Sequence, residues 1–466
     1  MSENILFLTG KLAESSLHKV LAGMQPAQFD YQVAQLGISV AALMTPEFIA
    51  RRLPDARGAG RIVLPGLCRG NLVPLQEKYG VPVQLGPEDL KDIPQYFGHG
   101  GKEPDLSNYD VKIFAEIVEA PQLPVADILA RAERYRAQGA NVIDLGCLPN
   151  TPFPHLEDAV QALKAAGMQV SIDSMQQEEL LRGGRAGADY LLSLTEKTLW
   201  IADEVTAMPV LVPARPGSLP SLYRAIEAMQ KKGQAFIADP ILDPIPFGLA
   251  ESIVRYHRLR KKHPDIQIMM GVGNLTELTD ADTTGINAVL FGVIAELNLN
   301  AVLTTSVSPH ACNAVREADV ARRVMHAAHE DRRLPRDYSN DLLGLHDRRP
   351  FPYSEAEIAE LAAQVKDPNF RIQVSEQGVH IYNRDGLLCD IDPFRLYPYL
   401  KVDDDASHAF YLGVELARAQ VAWQLKKRYS QDAELQWGCN SAEPDARGRV
   451  AHREASLKKK RDMSGK

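Results

Sequence analysis

Asn141-Val142-Ile143-Asp144-Leu145-Gly146 is a short apolar run closed by glycine, and Leu156–Ala166 behind it carries apolar residues at helical spacing. The same strand-then-helix unit recurs from Val111 to about Ala328. Its expected strands are Val111–Glu119, Asn141–Gly146, Gln169–Ser174, Tyr190–Leu194, Pro209–Pro213, Ala235–Asp239, Gln267–Gly271 and Asn300–Thr305. They are mostly apolar rather than alternating, which suits parallel strands buried on both faces. Eight such units in roughly 200 residues match a TIM (β/α)8 barrel. A doubly wound open sheet is the structural alternative.

Outward from this core, the fold class expected is α/β: a central TIM barrel, a small N-terminal α/β parallel-sheet domain and a C-terminal α+β domain. Residues 1–100 alternate strand and helix, with Thr45 as N-cap and Pro46 in the first turn of one helix. Thr9-Gly10-Lys11 lacks the upstream glycine of a phosphate loop and reads as a strand-ending turn. Pro65-Gly66-Leu67-Cys68-Arg69-Gly70-Asn71 is a second such turn, at the kind of strand end where open α/β sheets bind ligands. Residues 98–110 read as a linker and 111–330 as the barrel. Residues 350–440 form the α+β segment, with a Ser354/Glu357 capping box and a hairpin turn at Asn383-Arg384-Asp385-Gly386. Residues 441–466 read as a disordered tail.

The chain has 466 residues, 45% of them hydrophobic, and a net charge of −8, which argues against a nucleic-acid partner. No apolar run reaches membrane-spanning length, so no membrane partner is expected. Five scattered cysteines without a CxxC pair fit a reducing, cytoplasmic setting and offer no zinc spacing.

In a TIM barrel the chemistry sits at the C-terminal strand ends. There the expected strands carry Glu116 and Glu119, Asp144, Asp173, Ser193, Arg215, Asp239 and Asn274. A carboxylate at an apolar barrel mouth is costly without a partner. A pterin or guanine edge, rich in N–H donors, supplies one: Asp accepts two donors side by side, and Asn both donates and accepts. Capping of the following helix is the competing explanation for Asp144 and Asp173. It explains Asp239 less well, because Pro240 follows at once.

Residues 139–146, Val170-Ser171-Ile172-Asp173-Ser174, Gly187-Ala188-Asp189, and Asp239-Pro240 with downstream Pro246-Phe247-Gly248 resemble, in order and spacing, the strand motifs of dihydropteroate synthases. The resemblance covers roughly 111–330. It implies that Asp173 and Asp239 are the catalytic, pterin-binding aspartates, with Asp144, Ser193 and Asn274 also on the substrate. It further implies attack of an aryl amine on a hydroxymethyl-dihydropterin diphosphate, with Mg2+ at the leaving pyrophosphate; Glu116 and Glu119, on the strand where such synthases carry Asn, are candidate Mg2+ ligands or partners of a cation at the barrel mouth.

Leu192-Ser193 stands where such synthases carry Asn-Asp, and Gly273-Asn274-Leu275-Thr276 where they carry Ser-Arg-Lys. The overall arrangement looks like the related proteins linked to tetrahydromethanopterin biosynthesis, a branch of one-carbon metabolism parallel to folate biosynthesis. That implies an acceptor amine bearing ribose phosphate, with Arg215 its best-placed cation and Lys197 and His310 weaker ones. The Gly-x-x-Asn pattern ending at Asn274 also resembles pterin-dependent methyltransferases that act with a corrinoid partner. A non-catalytic pterin-binding protein is the third reading. Synthases of this type suggest a homodimer by analogy.

Overall fold

The computed structural model describes residues 3–24, 29–98 and 105–441. Among these, 105–344 and 437–441 form one compact unit, and 3–98 with 345–436 form another. The segments expected at 1–100 and 350–440 thus share one unit over their described residues up to 436, and 437–440 belong to the barrel unit. The tail expected over 441–466 falls, after Ser441, outside the described residues.

The two-segment unit contains β1 (Glu3–Thr9), β2 (Phe29–Gln35), β3 (Arg61–Leu64) and β4 (Val83–Leu85), all parallel, in the order β2-β1-β3-β4. Apolar side chains alternate to both faces: Leu6, Leu8 and Ile62 pack into one core, Ile5, Phe7 and Val63 into the other. Thr45 caps its helix by accepting from Phe48 N, with Pro46 in the first turn.

The second unit is a closed barrel of eight parallel strands. They are β5 (Lys112–Ile117), β6 (Val142–Gly146), β7 (Gln169–Asp173), β8 (Tyr190–Leu194), β9 (Met208–Leu211), β10 (Ile237–Ala238), β11 (Gln267–Gly271) and β12 (Ala301–Thr305). Pairing of β12 with β5, Ala301 on Lys112 through Thr305 on Glu116, closes the cylinder and removes the open-sheet alternative. β10 is shorter than expected. Asp239 N still donates to Leu211 O at 2.8 Å, but Pro240 has no N–H to extend the ladder.

Strand alternation then sorts the side chains. Phe114, Val142, Tyr190, Val210, Ile237 and Met269 fill the barrel interior. Their neighbours Ile113, Ile143, Leu191 and Ile268 pack outward into the core shared with the helices. At the N-terminal end, the buried Arg322 on helix Ala314–Glu330 donates to Val111 O (2.6 Å), Asn141 Oδ1 (2.5 Å) and Gly139 O (2.8 Å), tying that helix to the starts of β5 and β6.

In the two-segment unit, the antiparallel strands β13 (Arg371–Ser375), β14 (Gly378–Asn383) and β15 (Gly386–Asp390) make a meander, with Asn383 paired to Gly386 across the hairpin. The Ser354/Glu357 capping box is formed on helix Glu355–Gln364. Arg428 binds Asp89 (2.8 Å) and Asp92 (2.6 Å), and Lys91 pairs with Glu357, joining the two segments of this unit.

Candidate active site at the barrel mouth

The period of two that places Phe114 inside the barrel also turns Glu116 inward, one layer nearer the C-terminal mouth. By the same count Asp144 follows Val142, and Asp239 follows Ile237. Register brings them together: Glu116 lies opposite Asp144, Asp144 opposite Ser171, and Gly146 opposite Asp173. Carboxylate oxygens of Glu116, Asp144 and Asp173 all lie within 4.8 Å of one another.

Each carboxylate has a distinct environment. Asp144 is fully buried; its Oδ1 accepts from the Ser171 hydroxyl, and its Oδ2 has no partner among the described residues. Asp173 accepts from the Ser193 hydroxyl at 2.7 Å. Alternation would send Ser193, next to the interior Leu192, outward. Instead its φ is +70°, in the left-handed region, and the β8–β9 register slips between Leu191 and Leu194, so the hydroxyl reaches Asp173. Asp239 Oδ1 accepts from Ile241 N (2.7 Å) and from the buried Tyr256 hydroxyl (2.8 Å). Ile241, a β-branched residue, holds φ +67° to make that contact.

Burial is the largest cause of each acidity shift here, and Arg255 only partly offsets it at Asp239. Desolvation, with the charges of Asp173 and Glu277, raises Glu116 to about 7. Asp144 is pushed well above the usual carboxylate range by burial and by Asp173 and Glu116. Asp173 is also raised by burial, the Ser193 bond opposing. Burial lifts Asp239 to about 6 against the bonds from Ile241 and Tyr256. Cys147, just past β6, has its thiol pushed up by burial and by nearby carboxylates, so it stays neutral.

The remaining expected residues are spread around the mouth. Glu119 is exposed, beyond the end of β5 and outside the carboxylate cluster. Asn274 opens a short turn after β11; its Nδ2 donates to Leu242 O at 2.7 Å. Arg215 is exposed and makes no ion pair among the described residues. Lys197 is exposed, and His310 Nε2 lies 3.0 Å from Thr276 O.

Four contributors escaped sequence reading. Ser171 and Tyr256 hold Asp144 and Asp239. Glu277 accepts from Val307 N (2.8 Å) and Ser308 N (2.9 Å), fixing the loop after β12. A Cβ on Gly146 would stand 2.5 Å from Glu116 Oε1, so this glycine makes room for the cluster. Of these, only Ser171 had a sequence signal, its place two residues before Asp173.

Residues 3–88 match a family of unknown function (DUF6513), a segment lying in the two-segment unit. An uncharacterized protein of Methanocaldococcus jannaschii is 28% identical over an alignment of 525 positions, covering 92% of this chain and 98% of that protein. Among solved structures, the 7,8-dihydropteroate synthase of Vibrio fischeri is 15% identical with a TM-score of 0.38, covering 48% of this chain and 94% of its own. The Yersinia pestis enzyme, solved with a pterine-sulfa conjugate, is 17% identical with a TM-score of 0.37, covering 49% and 95%.

Proposed function

We propose that the barrel binds a reduced pterin at its mouth and joins it to an aryl amine, as a transferase of the dihydropteroate synthase type. One observation carries this reading: Asp144, Asp173, Ser193 and Asp239 gather at the barrel mouth, and none of the three carboxylates is ion-paired with a Lys or Arg among the described residues. Such a cluster suits a ligand edge that brings several N–H donors and no negative charge. Asp239 Oδ1 is already occupied by Ile241 and Tyr256, which orients the carboxylate and leaves Oδ2 for the ligand.

No side chain need act as nucleophile. The amine nitrogen attacks the pterin methylene carbon, the C–O bond to diphosphate breaks, pyrophosphate leaves with the bonding pair, and the amine loses a proton. The chain's part is to hold the pterin in line for attack and exclude water. Glu116, Asp144 and Asp173 also fit a hard divalent cation such as Mg2+: all donors are carboxylate oxygens, and the buried Asp144 Oδ2 lacks a partner. When bound, the cation would supply charge neutralisation for the leaving diphosphate. The exposed Arg215 is free to meet a phosphate on the acceptor, in keeping with a ribose-phosphate-bearing amine of tetrahydromethanopterin-type synthesis.

The test is pyrophosphate release from hydroxymethyl-dihydropterin diphosphate with Mg2+ and either 4-aminobenzoate or its ribofuranosyl phosphate derivative. Release that depends on the ribosylated amine and disappears in Asp239→Asn is expected. Release with 4-aminobenzoate alone would redirect the reading to folate synthesis, and no release with either would sink it. Asn274 favours a second reading, methyl transfer between a pterin and a corrinoid partner: with Nδ2 spent on Leu242 O, its Oδ1 remains able to accept from a pterin N–H. Binding of a methylated pterin without pyrophosphate release would select it.

A further inference from the structure

The two-segment unit holds a cavity of about 340 Å3 that the barrel chemistry does not use. Its floor is the carboxyl edge of the parallel sheet, from Thr9 on β1 to Leu64-Pro65-Gly66 after β3. In the order β2-β1-β3-β4, consecutive connections run to opposite sides of β1, so the β1/β3 edge is the topological switch point, where open α/β sheets take their ligands. Its roof is β13 and β14, with Tyr353 and Tyr429. The floor is stiff: a Cβ on Gly66 would lie 2.5 Å from Pro87 C, and one on Gly10 2.8 Å from Ala41 N, so the edge loops interlock.

The lining carries more acidic than basic side chains, and two of the backbone amides after β1 are taken: Lys11 N donates to Ile38 O (2.8 Å) and Leu12 N to Ser39 O (3.2 Å). Arg371, the one cation on the wall, is committed to Asp367 (2.8 Å to Oδ2) and Asn369 O (2.6 Å). Glu88, Asp89 and Asp432 also line the cavity.

What the walls offer is aromatic surface and neutral polar groups. The hydroxyls of Tyr353, Tyr382 and Tyr429 are held by Asp89 (2.9 Å), Gln373 (2.9 Å) and Glu415 (2.7 Å), leaving ring carbon for a ligand. The hydroxyls of Ser16, Ser39 and Ser430 have no partner among the described residues. We infer that this cavity is a second binding site, separate from the barrel, for an uncharged heteroaromatic molecule of nucleobase or nucleoside size.

The experiment is equilibrium binding of adenosine, uridine and AMP to the full chain at neutral pH. It uses wild type, Ser16→Trp and Ser430→Phe, which fill the cavity from floor and roof, and Asp239→Asn, which alters only the barrel. Expected is binding of at least one neutral probe at or below about 1 mM, weakened about tenfold or more in each cavity variant that keeps the wild-type circular dichroism and melting temperature. Asp239→Asn should leave it unchanged, and AMP should bind about tenfold more weakly than adenosine. No binding of either neutral probe, equal binding in the filled variants, loss in Asp239→Asn, or AMP binding as tightly as adenosine would each overturn the assignment. Failure of the pterin reading would leave these outcomes untouched.

Discussion

Two residues show how the site is held under tension. Glu116 has an ordinary value of 4.5 and a folded value of about 7. Between these the folded chain keeps a proton that the unfolded chain has lost, so stability falls as pH rises through that window and is lowest above it. Glu116→Gln removes the share of this dependence that Glu116 contributes. Urea unfolding should find this variant more stable than wild type at pH 8, by on the order of 2 kcal/mol, with the gap closing near pH 5. Ser193 stores backbone strain at φ +70° in order to reach Asp173. Ser193→Gly should relieve about 1 kcal/mol of strain and hold or raise the melting temperature, while weakening ligand binding through the lost hydroxyl. A variant that loses stability and keeps affinity would contradict this role. Asp144, Asp173 and Asp239 were legible in the sequence because a carboxylate ending an apolar strand is conspicuous. Tyr256 and Glu277 were not: Tyr256 acts through a contact 17 residues away and Glu277 through contacts 30 and 31 away, and neither sits in a strand.

At the scale of elements, the strand alternation that builds the barrel also selects which residues face the mouth. That is why eight strands could be read from short apolar runs, and why their ends slipped where local chemistry intervened, as at Pro240. Gly146 belongs here too. Its role is space for Glu116, which a glycine at a strand end does not announce. The opposite end of the barrel depends on Arg322, whose burial would be costly without its carbonyl, amide and Asp319 partners. Arg322→Met should strip the guanidinium from Val111 O and Gly139 O, leave Asp319 with Arg323 alone, and destabilise the barrel by about 3 kcal/mol, measured by chemical denaturation. A loss under about 1 kcal/mol would mean that water replaces the guanidinium there.

Across the whole molecule, the chain builds two units with separate cores, and only one was foreseeable as a unit. No local pattern links residues 3–98 to 345–436, because the joining groups, Arg428 with Asp89 and Asp92, are brought together by folding alone. Arg428→Ala should therefore speed hydrogen exchange together in β3, β4, β13 and β14, and leave the barrel strands at wild-type protection. Faster exchange confined to one of the two segments would show that the ion cluster does not join them. No helix among the described residues is long and apolar enough to cross a membrane.

The most direct test of the central claim is calorimetric titration of 6-hydroxymethyl-7,8-dihydropterin into wild-type protein and Asp239→Asn at pH 7.5 and pH 5.5. Because the ligand's N–H donors favour ionised carboxylates, the account predicts one-site binding at pH 7.5. It should weaken several-fold at pH 5.5, below the Asp239 value of about 6, and be lost in Asp239→Asn with the fold intact. Absence of binding, or affinity indifferent to both pH and the substitution, would contradict it.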